Sequence, residues 1–283
     1  MDFGLTFFPT DESISPAELA AAAEERGFES IWLAEHSHIP VSLATPGPPG
    51  PGEVGLPREY YAVADPFVSL AMAAATTKKL RLATGVCLVA QRDVFQLAKE
   101  IASLDHFSGG RFLFGVGAGW NAPEIENHGT AFATRFAVMR ERIEAMKRIW
   151  MDERAEYHGT HVDFGPCYAW PKPHRKPHPP VHVGGAGIHA IRRAVRYGDG
   201  WVPLGGMGSS DPIGLLPELH ERLAAAGRDA RKFEVSIYFC PADAAYIQRC
   251  REHGITRVLL AAPSVGRDEA LAALDSYVPL MRS

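Results

Sequence analysis

Eight apolar runs of strand length, each followed by helical periodicity or a helix start signal, predict an α/β chain folded as a (β/α)8 TIM barrel. Two further observations favour closure over an open, doubly wound sheet. The units are regular and no break in composition marks a domain boundary, so residues 1–283 read as one barrel domain. Gly115, Gly117 and Gly119 are spaced G-x-G-x-G rather than as a dinucleotide fingerprint, and no acidic residue follows at the end of a second strand. The pattern loosens after the second strand, over 39–61, and again after the fourth, up to Thr134. These are the expected insertions.

The elements follow in order. Phe3 to Phe8 is strand one. Ser15-Pro16-Ala17-Glu18 is a capping box with proline at the first helical position, and Gly27 stops that helix. Ser30 to Ala34 is strand two. Thr45 to Gly52 is Pro/Gly-rich and can form neither helix nor ladder, so a loop is expected there, leaving the site end of the barrel as a lid. Asp65-Pro66 caps a helix to Thr76, Leu80 to Leu88 is strand three, and Asp93 with Gln96 opens a helix ending at Ser108. Gly109 and Gly110 suit the positive φ that closes it. Phe112 to Val116 is strand four. Phe136, Met139, Ile143, Met146 and Ile149 fall on one helical face, predicted to be core. Residues 156–164 read as a small hairpin. Strands five to eight are 179–183, 201–204, 233–239 and 256–262, each leading to a helix except where Asp211-Pro212 caps a short turn first.

Bulk properties narrow the partners. The net charge is −4, with no block of like charges, which argues against nucleic acid or an anionic membrane as partner. No apolar run approaches the ~18 residues of a membrane span. The N-terminus enters a strand without a basic leader, so no signal peptide is expected. The cysteines Cys87, Cys167, Cys240 and Cys250 lack C-x-x-C spacing and read as reduced thiols of a cytoplasmic protein.

In such a barrel the chemistry lies at the carboxyl ends of the strands. Those ends are apolar, glycine-rich and poor in acids, with one titratable pair, Glu35 and His36. They suit a flat cofactor and a small-molecule substrate better than a hydrolytic triad. His36-Ser37-His38 has the look of a metal-hydrolase H-x-H, but strand eight ends Ala261-Ala262-Pro263 without an Asp ligand, and no metal is expected. Gly184-Gly185-Ala186-Gly187 precedes a helix and suits an anion, its free N–H groups and the helix dipole acting together. The basic run Lys172 to His178 reads either as a solvated linker or as a landing strip for an acidic cofactor tail.

The stretch Phe95 to Asn121, containing Ser108-Gly-Gly-Arg-Phe-Leu-Phe-Gly-Val-Gly-Ala-Gly-Trp-Asn121, resembles the signature of the bacterial luciferase-like flavin and deazaflavin oxidoreductases. Arg135 with 139–150, then 180–187 and 190–201, continue the resemblance in register; it covers roughly 1–205 and is weak beyond Leu204. It implies an F420-dependent oxidoreductase, often dimeric, that transfers a hydride between the deazaflavin and an organic substrate. An FMN monooxygenase fed by a separate reductase is the alternative, and a barrel that binds either cofactor without turnover is a third. The resemblance implies that His36, beside Glu35, is catalytic. It assigns Thr84, Gly85 and Val86 to the back of the ring, Gly117, Gly119 and Asn121 to the strand-four contacts, and Gly184, Gly185, Ala186 and Gly187 to the phosphate. It also implies a bulge with a cis peptide between Gly85 and Val86.

Overall fold

The computed structural model describes residues 1–41, 55–205 and 211–282. Its parallel strands are β1 (Asp2–Phe7), β2 (Ser30–Leu33), β3 (Arg81–Thr84) continued as β4 (Cys87–Leu88), β5 (Phe112–Gly117), β8 (Val181–Gly184), β9 (Gly200–Val202), β10 (Glu234–Ile237) and β11 (Arg257–Ala261). Each pairs with the next in parallel. β3 also pairs with β5, and β11 returns to β1 with Phe3 opposite Val258, which closes an eight-position barrel. The (β/α)8 expectation is met. A two-stranded antiparallel hairpin, β6 (Ala155–His158) with β7 (Asp163–Cys167), sits outside it where a hairpin was expected.

The helices start where the sequence supplies caps. α1 (Pro16–Glu25) is capped by Ser15, which accepts from the Glu18 N–H at 3.2 Å. After the short α2 (Glu59–Ala62), Asp65 caps α3 (Pro66–Thr76) through the Phe67 and Val68 N–H groups. Asp93 does the same for α4 (Val94–Phe107). Each such cap is worth about 1 kcal/mol. α5 (Ala122–Asn127) is a short helix in the stretch read as irregular, and α6 (Arg135–Met151) follows it. Then come α7 (Gly187–Tyr197), α8 (Leu216–Ala225), α9 (Ala244–Glu252) and α10 (Arg267–Arg282).

Two apolar layers result. Trp32, Ala83, Leu113, Val202, Tyr238 and Leu259 fill the inside of the barrel. A larger cluster, including Phe112, Phe114, Met139, Ile143, Met146 and Ile149, lies between strands and helices; each such side chain contributes about 1.5–3 kcal/mol on burial. Phe136 departs from the expected core face: it is exposed at the start of α6. Glu141, on the same helix, is buried and accepts the His161 and Val162 N–H groups at the hairpin turn.

The amino end of the barrel is closed by charge. Arg257, fully buried, donates to Glu29, Glu234 and Ser236, while Arg81 bridges Glu29 and Glu234. The basic run also belongs to this end. Lys172 donates to the carbonyls of Ile149 and Asp152 at the C-terminus of α6, and the Arg175 N–H reaches Asp105. Lys172 there meets the free carbonyls at the C-terminus of α6, at the end of the barrel opposite the glycine-rich strand ends and against the expectation of a landing strip. Residues 42–54, most of the expected lid, lie outside the described residues. No helix among the described residues is long and apolar enough to cross a membrane.

Candidate active site

At the carboxyl end, strand three breaks between β3 and β4. The Gly85–Val86 peptide bond there is cis, as the resemblance implied. The break is held from several sides. The Gly85 N–H donates to Leu33 O at 2.6 Å, the Tyr238 hydroxyl donates to Gly85 O, and the Thr84 hydroxyl donates to Gly115 O at 2.7 Å. Thr84 is fully buried, so its hydroxyl is spent inside the wall. Burial raises the pKa of Tyr238 well above the ordinary phenol value, which keeps the donor protonated.

Neighbouring glycines make room for this break. A Cβ on Gly115 would stand 2.0 Å from Thr84 O, one on Gly117 would stand 2.6 Å from a Val86 methyl, and one on Gly184 3.1 Å from the other. Val86 is half-buried at the barrel mouth between β5 and β8. Gly119 has φ +80°, and a Cβ there would press on Ile125. The chain then turns through Trp120 to Asn121, which is fully buried. Neither polar atom of the Asn121 side chain has a partner among the described residues. A buried amide left unsatisfied is costly and points to a missing ligand or water.

His36 and Glu35 were expected as a pair, but the structure does not bring them together. Glu35 is buried against the Leu88 N–H at 2.7 Å and the Arg92 guanidinium. Arg92 in turn holds Asp65 and Glu100. The carboxylate that reaches His36 is Glu124, on the first turn of α5. Its oxygens lie 3.1 and 3.0 Å from Nδ1, and both side chains are nearly buried. The carboxylate accepts from Nδ1, which leaves Nε2 turned away from Glu124. Nε2 has no hydrogen-bond partner among the described residues. Trp120 meets the imidazole edge-on at 5.8 Å and Tyr60 lies 5.7 Å away. Phe8 contacts Tyr60 and stacks with Phe239, extending an aromatic rim. His38, the other histidine of the H-x-H, bonds Ser37 and Asn127 instead.

Sequence reasoning missed Glu124 because it collected strand ends only. The signal was present: Asn121 followed three residues later by Glu124 is a helix-start pattern, and it places the acid on the first turn.

The loop before α7 has the geometry of an anion seat. Gly185 and Gly187 have φ of +115° and +72°. Gly185 is anchored by its N–H to Val202 O and by Trp201 Nε1 to its carbonyl. Ala186, at the N-cap, has no side-chain cap. The residues fit a flat cofactor by one feature of the structure, the buried Asn121 amide left without a partner among the described residues; the glycines of β5 and β8 serve the close packing of Thr84 and Val86.

A family model described as luciferase-like monooxygenase matches residues 14–275. An uncharacterized protein of Mycobacterium tuberculosis is 40% identical over 278 residues, covering 97% of this chain and 96% of the relative. An F420-dependent glucose-6-phosphate dehydrogenase of Kineococcus radiotolerans is 27% identical over 233 residues, 78% of this chain and 61% of the relative. Among solved structures, a monooxygenase from Streptomyces bottropensis superposes with a TM-score of 0.79 at 23% identity, covering 100% of this chain and 99% of that one.

Proposed function

Because the chain belongs to the luciferase-like monooxygenase family, we propose that it is an oxidoreductase dependent on coenzyme F420, which exchanges a hydride with a small organic substrate at the barrel mouth. The observation that carries this is the His36–Glu124 pair, with the unpartnered Asn121 amide at the N-cap of the helix that bears Glu124. A luciferase-like barrel mouth of this kind would take either a deazaflavin or FMN. The F420-dependent relative favours the deazaflavin, and the positioned His36–Glu124 pair favours turnover over binding alone.

Gly85, Val86, Gly117 and Gly119 would lie against the ring, Asn121 would bond its polar edge, and the turn through Gly185 to the Ala186 and Gly187 N–H groups at the start of α7 would take the phosphate. When bound, the cofactor supplies hydride transfer. His36 Nε2 holds or takes the proton of the substrate's polar atom, and Glu124, accepting from Nδ1, keeps Nε2 turned away from itself for that role. Trp120, Tyr60, Phe8 and Phe239 exclude water around it. Glu35 positions Arg92 and the Leu88 N–H behind the strand break rather than touching substrate.

The test is steady-state turnover with F420 across a panel of alcohols and carbonyls. His36→Ala should lower kcat by about 10²-fold or more, the usual scale of acid–base catalysis. Glu124→Gln should lower kcat less, with the cofactor Kd nearly unchanged in both. Normal turnover by His36→Ala would remove the residue from the mechanism.

The proposal extends to a homodimer. The α3–α4 face exposes Val68, Met72 and Phe107, the last at 83% exposure, an apolar patch that a second copy would cover. Light scattering that gives a monomer mass at micromolar concentration would refute it.

A further inference from the structure

We propose that Arg135 and Arg193 form a second anion subsite, which takes the carboxylates of an acidic cofactor tail extending beyond the phosphate. The proposal rests on the reading that the Gly184–Gly187 loop takes that phosphate.

Arg193 stands on the second turn of α7, and one of its terminal nitrogens lies 3.7 Å from where a Cβ on Gly185 would be. Its guanidinium lies 4.1 Å from the centre of the Phe136 ring. Arg135, the first residue of α6, lies 4.4 Å from the same ring and 3.6 Å from that of Phe132. The exposed phenyl of Phe136 is thus the shared platform of two cations at the mouth of the anion loop.

Their isolation from acids is the informative part. Arg26, Arg58, Arg81, Arg92, Arg249 and Arg257 pair with carboxylates, and Arg111 and Arg142, which pair with none, each donate to several backbone carbonyls instead. Among the described residues Arg135 and Arg193 pair with none, and Arg135 donates only to Phe132 O. The Nε of each is buried without a hydrogen-bond partner. Two guanidiniums held close with no counter-charge repel each other and forgo charged hydrogen bonds. Burial lowers the pKa of both, and Arg135 lowers that of Arg193 further. An incoming carboxylate relieves all of these costs together. The loop's backbone N–H groups suit one phosphate, whereas these forked donors suit planar carboxylates next to it.

The experiment is a fluorescence titration of wild type, Arg135→Gln, Arg193→Gln and the double variant. The probes are the deazaflavin riboside, which lacks phosphate and tail, and F420 with short and with long γ-glutamate tails. Wild type should bind long-tailed F420 tighter than short-tailed. Arg193→Gln should lose about tenfold toward the long-tailed form, the scale of one charged hydrogen bond. The double variant should lose the dependence on tail length, and riboside affinity should not move. If wild type ignores tail length, or if the variants weaken both F420 forms equally, the tail subsite is overturned while the cofactor reading stands. If wild type binds no deazaflavin at all, both fall.

Discussion

His182 shows what a single side chain does at the closed end of the barrel. It points among Trp32, Gly200 and Glu234, fully buried, with Nε2 3.5 Å from a Glu234 oxygen and no hydrogen bond on either nitrogen. Burial pulls its pKa down to about 4. Burial pulls Glu234 up, but His182, Arg257 and Arg81 outweigh it and hold the carboxyl at about 2. Both folded values lie below the unfolded ones, so the unfolded chain binds more protons as pH falls. The His182 contribution is full above the ordinary imidazole value of 6.5 and is lost as pH falls toward 4; the Glu234 contribution is lost from the ordinary carboxyl value of 4.5 toward 2. Urea denaturation of wild type should therefore show falling stability between pH 6.5 and 4, and His182→Gln should flatten that arm. An unchanged slope in the variant would assign the loss to other groups. At this scale the sequence was legible in part. It singled out His36 but coupled it to its neighbour Glu35, and consecutive residues of extended chain point to opposite sides. Glu124, 88 residues away, is placed on a helix's first turn by its spacing from Asn121, but its meeting with His36 comes only from the fold.

At the scale of elements, α7 carries the sharpest test. Its N-cap, Ala186, is exposed, has φ −92° and ψ 158°, and lacks the side-chain oxygen that a cap normally supplies. An anion seated there would supply the missing acceptor. Ala186→Asp should raise stability by about 1 kcal/mol and yet weaken cofactor binding at least tenfold, because its carboxylate takes the phosphate's place. Ala186→Asn should keep the gain in stability and lose less affinity. Unchanged affinity in Ala186→Asp would move the phosphate elsewhere. Strands, caps and the hairpin were legible because their signals are local: Ser15, Asp65 and Asp93 each cap the helix they announce. α5 was not, since Ala122–Asn127 is too short for apolar periodicity. Phe136 fits the helical face of α6 by spacing, yet it lies at the helix start, beyond the layer that the barrel covers.

Over the whole molecule, charge is divided between the two ends of the barrel. The amino end is closed by Arg257, Arg81, Glu29 and Glu234, whereas the described residues of the carboxyl end offer glycine backbone, aromatic rings, the unpartnered amide groups of Asn121 and Gln91 and the His36–Glu124 pair. The closed barrel was legible because eight strand signals recur in one chain order and parallel strands joined by helices leave few topologies. The central claim is that this open end holds a deazaflavin. Equilibrium titration of the purified protein with F420 and, separately, with FMN tests it most directly. The account predicts saturable F420 binding at micromolar or lower Kd, at least tenfold tighter than FMN, and weakened by Asn121→Leu. Tight FMN binding with no detectable F420 binding would contradict it.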